Sequence, residues 1–262
     1  MEHALRTPLL DFFRRGDVAR DIRLLAAQGA LAPRAHEQLG LLMLLVGDHD
    51  PSIAAAAEAT LAVIPRDSLS AFLGRSDVSV EMRAFFSARG VLPSAIPGPE
   101  MDAPFVDAGP ELPPLIEEQA ADPEVARASV LHRIAAMTVA QRMALAMKGT
   151  REERALLIRD PNKIVGVAVL SSPKLSEGEV ESIAKMSSIS DELLRIIAHT
   201  RGWVKNYGVV LALARNPKTP VAISMNLLAR LQDRDLKLLS TDRNVAEIVR
   251  ITARKKVVFE RK

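Results

Sequence analysis

Cysteine is absent from the 262 residues of this chain, and aromatic residues make up only 3% of it. Without cysteine the chain has no disulfide framework and no thiolate metal site, which suits a reducing compartment. Because aromatic side chains are scarce, the 48% of residues that are hydrophobic must build a core from Ala, Leu, Val and Ile. Such a core suits closely packed helices better than a β-sandwich, since strands favour aromatic and β-branched residues.

Targeting and membrane signals are missing as well. The N-terminal residues Met1–Arg6 lack the basic and then apolar pattern of a signal peptide. No apolar run reaches the roughly 18 residues that a membrane-spanning helix needs. We therefore expect a cytoplasmic protein without a membrane span.

No catalytic or ligand-binding motif stands out. The five histidines show no metal-ligand spacing, and the glycines form no nucleotide-binding fingerprint. His49 lies between Asp48 and Asp50 and could act as a general base, but a solvated histidine beside a helix cap is the simpler interpretation. The acidic pairs Glu152–Glu153 and Asp191–Glu192 fall in the first turns of expected helices, where they complement the helix dipole. We expect no catalytic residue, metal or cofactor, and no enzyme activity.

A repeated pattern is organised around Thr138 to Pro217 and continues into the segment that follows. Hydroxyl residues that precede apolar runs open its three segments, at Thr138, Ser176 and Thr219. The offset is 38 residues from Thr138 to Ser176 and 44 residues from Pro173 to Pro217. A period of about 40 residues built from two helices is typical of an α-solenoid.

Helix-start signals recur with this period. Capping boxes, in which the two side chains each bond a backbone amide, are expected for Thr138 with Gln141, Thr150 with Glu153 and Ser176 with Glu179. Helix openers that place proline after an N-cap residue are Asp50-Pro51, Asp122-Pro123, Asp160-Pro161 and Thr219-Pro220. In this part of the chain we predict helices near 122–135, 139–147, 151–158, 161–171, 177–186, 190–199, 203–215, 220–231, 233–239 and 243–257.

Proline is concentrated in one segment. Seven of the 16 prolines lie in residues 91–115, and most of the other residues there are small or acidic. Because helices and strands both fail at this proline density, we predict an extended linker. An unstructured tether is the simpler interpretation, but Ile96, Met101, Phe105 and Val106 could dock on a neighbouring surface.

The linker separates two expected helical modules, residues 1–90 and residues 116–262 with its basic tail. Residues 1–115 carry 10 Lys+Arg against 15 Asp+Glu, and residues 116–262 carry 25 against 17. Such asymmetry indicates modules with different partners. The positive second half favours an acidic partner.

Two segments point to a repeat family. Asp122–Arg127 resembles the second helix of HEAT repeats, and Ala214–Pro220 followed by Leu227–Ala229 is similar to the leucine-rich repeat variant. The resemblance covers 122–257 and, more loosely, 33–90. It implies an all-α fold of two HEAT-like arrays joined by the linker, and a protein-binding scaffold, although a minority of such proteins bind nucleic acid. The cysteine-rich metal-cluster segment of some leucine-rich repeat variant proteins is not expected, because cysteine is absent.

Trp203 and Tyr207 form the one aromatic pair that contains no phenylalanine. At four residues apart in one expected helix they share a face, with Arg201 and Lys205 beside them. Trp, Tyr and Arg are over-represented in binding hot spots. The alternative is that both rings pack between adjacent repeats, since Trp is usually well buried.

Basic residues recur near the starts of the expected second helices, where they oppose the helix dipole by a few tenths of a kcal/mol. This unfavourable placement indicates a binding role. The predicted partner-binding residues are Arg159, Lys163, Arg201, Trp203, Lys205, Tyr207 and Arg243. We expect a non-enzymatic scaffold or adaptor that binds an acidic protein; the alternative is a nucleic-acid-binding protein, with a DNA glycosylase-like enzyme as its catalytic form.

Overall fold

The computed structural model describes residues 7–96, 98, 102–109 and 123–259. Within these residues all regular structure is helical and no strand occurs, which confirms the all-α prediction. The first ten helices are α1 Pro8–Arg14, α2 Arg20–Ala27, α3 Ala35–Leu45, α4 Pro51–Val63, α5 Arg66–Leu73, α6 Val80–Ser87, α7 Pro123–Ala136, α8 Val139–Lys148, α9 Arg151–Leu157 and α10 Lys163–Leu170. The others are α11 Glu177–Lys185, α12 Asp191–His199, α13 Tyr207–Arg215, α14 Val221–Leu227, α15 Asp233–Thr241 and α16 Glu247–Phe259, with 3-10 turns at Trp203–Lys205 and Leu228–Arg230. Over the described ranges, no helix combines the length and apolarity needed to cross a membrane.

The predicted helix caps are confirmed where the partners lie within one turn. All three expected capping boxes are formed. Asp50 accepts a hydrogen bond from the amide of Ser52 and so caps α4. The predicted helix starts at two of the proline openers are wrong by one or two residues. Pro220 itself occupies the N-cap of α14, and Asp160 instead accepts from the amide of Asn162 in the turn before α10.

The repeat period of about 40 residues is present in the helix order. Each period holds three helices, as the list of predicted helices has it, and not the two that the solenoid interpretation assigns to a repeat. The triplets are α8–α10, α11–α13 and α14–α16. Their first helices begin at residues 139, 177 and 221, and their third helices begin at residues 163, 207 and 247. The middle helix begins at a side-chain cap in two triplets, where Thr150 accepts from the amide of Glu153 and Ser190 accepts from the amide of Leu193. In the third triplet Gln232 precedes α15 without such a cap.

The chain divides into two compact units. Unit 1 comprises Met1–Leu157 and Ile164–Lys174, and unit 2 comprises Ile158–Lys163 and Leu175–Lys262. Helices α7 to α9, and α10 from Ile164 onward, belong to unit 1 with the first part of the chain, whereas the predicted boundaries place them in the second module. The division into a module of residues 1–90 and a module of residues 116–262 stays a prediction.

The core of unit 1 includes closely packed aliphatic side chains on its first helices. Leu10 of α1 and Leu39 and Leu42 of α3 are fully or almost fully buried. At Gly40 a Cβ atom would lie 2.9 Å from Leu10 Cδ1, so a larger residue there would require the Leu10 side chain to shift. Ile53 on α4 is equally inaccessible.

The described parts of the predicted linker dock on unit 1. Gln38 of α3, which is buried, accepts hydrogen bonds from the amides of Phe105 and Val106 at 2.7 and 3.0 Å and donates to the carbonyl of Val106. The amide of Ala35 donates to the carbonyl of Asp102 at 3.0 Å. The tether interpretation is therefore wrong for residues 102–106.

The start of the linker also contacts unit 1, but not through the residues that were predicted to dock. The amides of Ser94 and Gly98 donate to carbonyls of α5, at Ser70 and Ala71, and so tie this part of the segment to unit 1. Ile96, by contrast, is 80% exposed. Met101 lies outside the described residues.

A buried polar residue after the third helix bonds to the end of the first helix in two triplets. Asn216 Nδ2 donates to the carbonyls of Ala184 and Met186, at 2.7 and 2.9 Å, in unit 2. In unit 1, Ser172 Oγ donates to the carbonyl of Met147 at 2.9 Å. Since the last carbonyls of a helix have no partner within it, these bonds satisfy groups that burial would otherwise leave unpaired.

Candidate functional site

All seven predicted partner-binding residues belong to unit 2. The five basic ones are exposed: Arg159, Lys163, Arg201, Lys205 and Arg243. Trp203 and Tyr207 are half-buried. The fold of unit 2 therefore leaves the basic side chains accessible to a partner.

Trp203 and Tyr207 do not share one face of one helix, and that prediction is wrong. Trp203 lies in a 3-10 turn, and Tyr207 begins α13. Between them Asn206 has an extended backbone, with φ −74° and ψ 121°, and its side chain caps α13 by accepting from the amide of Gly208. The cap interrupts the helical register, so the i, i+4 relation of the two rings is lost.

The hydroxyl of Tyr207 makes two hydrogen bonds within unit 2. It donates to Asp235 Oδ2 at 2.6 Å and accepts from the amide of Gln232 at 3.1 Å. Burial, followed by the bond to the Asp235 carboxylate, raises the pKa of Tyr207 above its ordinary value. These contacts join α13 to α15, so they support the packing interpretation for this ring.

The basic residues do not lie in the first turns of the third helices, with one exception. Arg159 precedes the start of α10 by four residues, Arg201 precedes α13 by six, and Arg243 precedes α16 by four. Because the dipole effect is confined to the first turn, the predicted dipole penalty does not apply to these three arginines. It applies only to Lys163, the first residue of α10, whose ammonium lies 3.4 Å from Glu192 Oε2.

Three arginines instead occupy one equivalent position of the triplets. Arg159, Arg201 and Arg243 each come two residues after the last residue of the second helix, which ends at Leu157, His199 and Thr241 respectively. We call them the turn arginines. Their proximity to a helix C-terminus is favourable for a cation, so placement alone does not prove a binding role.

In the described structure no carboxylate neutralises the charge of the turn arginines. Arg159 donates to Met186 Sδ at 3.7 Å, which offsets no charge. Among described residues, the side chains of Arg201, Lys205 and Arg243 form no ion pair with a carboxylate. Their charges therefore face solvent without compensation.

The charge balance differs sharply between the two units. Unit 2 holds 18 Lys+Arg against 11 Asp+Glu, a net charge of +7, whereas unit 1 holds 17 against 21, a net charge of −4. The contrast follows the direction predicted from the two halves of the sequence. Unit 2 thus presents a positive field to its surroundings.

One histidine site was missed by sequence reasoning. His36 Nδ1 lies 3.2 Å from Asp102 Oδ1, and His36 Nε2 lies 3.9 Å from Asp77 Oδ2. The ring also meets Phe72 edge-on at a centroid distance of 4.7 Å. Asp102 is 66 residues away in the proline-rich segment, so no local spacing could reveal the pair.

Other polar groups indicate no metal centre in the part of the chain that the structure describes, where no three His, Asp or Glu side chains are placed to hold an ion. His49 is exposed beside the cap of α4, with Nδ1 3.5 Å from Asp48 Oδ1. That arrangement fits the solvated-histidine interpretation.

Comparison with protein families, curated proteins and solved structures finds no match to this chain. The resemblance to HEAT repeats and to the leucine-rich repeat variant therefore stays a prediction from the residues themselves.

Proposed function

We propose that this chain is a non-enzymatic scaffold or adaptor whose unit 2 binds an acidic protein surface. The observation that carries the proposal is the equivalent placement of Arg159, Arg201 and Arg243, all exposed and without a carboxylate partner among the described residues. Arginine suits this role because its planar guanidinium can bond a carboxylate through two parallel N–H groups.

We further propose that the helix triplets stack as a HEAT-like solenoid. In such an array, equivalent positions align into a stripe. The turn arginines would then lie in one row, with Lys163 and Lys205 adding to the same positive field. Trp203, which is half-buried in the turn that contains Arg201, would supply apolar contact area at the centre of the site.

The net charge of +7 in unit 2 also suits nucleic acid, which is the second candidate partner. The two candidate partners should respond differently to the amount and the position of positive charge. A duplex presents a uniform array of phosphates, so its binding depends on total charge and falls steeply with salt. An acidic protein surface presents a few carboxylates, so its binding depends on where the arginines lie.

Reversing two charges tests the proposal. The double variant Arg201→Glu, Lys205→Glu should bind poly-L-glutamate, used as a defined acidic polypeptide, about tenfold more weakly than wild type, or about 1.4 kcal/mol. Its thermal midpoint should change little, because both side chains are exposed and unpaired in the described structure. Isothermal titration and thermal melts of both proteins at one ionic strength measure these effects.

A matched control separates position from charge. The double variant Lys218→Glu, Lys237→Glu makes the same change in net charge within unit 2, away from the turns that carry the arginines. It should lose less than about threefold in affinity, as expected from weak long-range electrostatics. Equal losses in the two variants contradict the proposal, and tighter binding of wild type to a DNA duplex than to poly-L-glutamate favours the nucleic-acid alternative.

A further inference from the structure

A pocket of about 370 Å³ in unit 1 has a markedly basic lining. It lies among the end of α7, the end of α8 and the start of α9. Five basic side chains and one acidic side chain line it: Arg133, Lys148, Arg151, Glu153, Arg154 and Lys174. The volume is within the range of pockets that hold small molecules.

Glu153 neutralises one side of this pocket. Its side chain is almost wholly buried, bonds the guanidinium of Arg133, and accepts from the amide of Thr150 at 2.8 Å. Glu153 is therefore fixed by two partners and is not free to bind a cation. The ion pair of Glu153 and Arg133 therefore adds no net charge to that side of the pocket.

The arginine beside it also has a fixed position. Arg154 is buried and donates to the carbonyl of Gly149 at 2.9 Å and to that of Lys174 at 3.4 Å. Such anchoring holds a guanidinium in place without a loss of side-chain freedom when a ligand arrives.

Two cations of the pocket have no carboxylate partner in the described residues. Arg151 is exposed, and its side chain forms no bond there. Within the described residues the ammonium of Lys174 donates only to the carbonyl of Lys148, at 2.7 Å, so its charge is not neutralised. Two uncompensated positive charges beside one concave surface favour a doubly negative ligand group.

We propose that this pocket binds a small organic anion that carries a phosphate group. A phosphate monoester is close to doubly charged at neutral pH, and arginine forks match its oxygens. Met137 and Leu145 also line the pocket and would contact the organic part of the ligand. This site lies in unit 1 and does not depend on the partner surface proposed for unit 2.

One further cation of the pocket, Lys148, is neutralised by a carboxylate of the docked linker segment. Asp107 pairs with Lys148 at 2.6 Å, and this lysine lowers the pKa of the Asp107 carboxyl. The two side chains are 61% and 50% exposed, so the pair adds little stability. Removing the carboxylate should free Lys148 for the ligand.

Phenyl phosphate is a suitable probe because it joins a dianion to an apolar ring. By isothermal titration at constant ionic strength, wild type should bind phenyl phosphate at least fivefold more tightly than benzoate, a single negative charge on the same ring. Arg151→Gln should weaken phenyl phosphate binding at least fivefold with an unchanged thermal midpoint. Asp107→Asn should strengthen it about threefold.

Matched controls keep this site distinct from that of unit 2. Lys237→Gln removes an exposed positive charge from unit 2 and should leave phenyl phosphate affinity unchanged, as should Arg201→Glu with Lys205→Glu. The proposal is overturned if wild type does not bind phenyl phosphate, if it prefers benzoate, or if Arg151→Gln binds as tightly as wild type. A loss of affinity in Asp107→Asn also overturns it, because that outcome makes the carboxylate part of the binding site.

Discussion

Glu37→Gln is expected to stabilise the protein by about 3 kcal/mol at pH 8 and to have little effect at pH 4.5. Glu37 of α3 is 1% exposed, and burial raises its pKa from 4.5 to about 7. A hydrogen bond from Thr7 opposes part of this rise, whereas Oε2 is buried without a partner in the described structure. The expected magnitude follows from the shift between 4.5 and about 7, at about 1.4 kcal/mol for each pKa unit.

The direction follows from proton binding. Between pH 4.5 and about 7 the folded protein keeps a proton on Glu37 that the unfolded chain has lost. Stability therefore falls as pH rises through this window and levels off above it. Glutamine copies the neutral carboxyl and can keep the Thr7 contact, but it never acquires a charge, so the variant should lack this part of the pH dependence.

Urea midpoints at several pH values between about 4.5 and 8 measure this difference. Glu81→Gln, at an exposed position of α6, is the matched control and should change stability by less than about 0.5 kcal/mol. If Glu37→Gln is no more stable than wild type at pH 8, the carboxyl of Glu37 is not held neutral by the fold.

Asn216→Ala is expected to destabilise unit 2 by roughly 2 to 4 kcal/mol. Asn216 is 6% exposed, and its amide satisfies the carbonyls of Ala184 and Met186. Its Oδ1 also accepts from the amide of Lys218 at 3.0 Å. Alanine leaves these three backbone groups without their partner, and each buried unpaired group costs about 1 to 3 kcal/mol unless water reaches it.

The single tryptophan of the chain, Trp203, lies in unit 2, so its fluorescence during urea unfolding reports on that unit. Asn244→Ala, which replaces an exposed asparagine of the same unit, should shift stability by no more than about 0.5 kcal/mol. An Asn216→Ala protein whose unfolding midpoint matches that of Asn244→Ala would show that these hydrogen bonds do not hold α13 to the end of α11.

Helix starts were predictable because the determining contacts are local. Thr138 and Gln141 are three residues apart, so a capping box can be read directly from their spacing. The all-α class followed from the same kind of signal, repeated along the chain. The ten helices predicted after residue 121 are all present, with starts that differ from the predicted ones by up to four residues. The two-helix repeat unit was wrong, because each period holds three of these helices.

Contacts between distant residues were not predictable. Gln38 reaches Val106 over 68 residues, and Lys148 reaches Asp107 over 41 residues. Nothing in a proline-rich segment specifies which helix it will contact. The basic pocket was missed for this reason, because its lining comes from separate helices and a turn that converge only in the fold.

The candidate surface of unit 2 was anticipated in part. The repeat of basic residues pointed to Arg159, Arg201 and Arg243, and all three are exposed at one equivalent position. The reason given for them was wrong, because helix boundaries a few residues later remove the dipole penalty. The Asn206 cap separates Trp203 from Tyr207. This local signal was overlooked because the apolar pattern indicated one continuous helix.

Site-specific photo-crosslinking at a turn arginine shows whether these residues contact an acidic protein. A photoreactive residue placed at Arg201, or at Lys237 as control, is irradiated in a lysate of the source cells, and crosslinked species are identified by mass spectrometry. Position 201 should capture an acidic protein and position 237 should not, and reversing Arg159 and Arg243 to Glu should reduce the yield at least fivefold. Equal capture at both positions, or capture of nucleic acid at position 201, would show that the turn arginines do not bind an acidic protein.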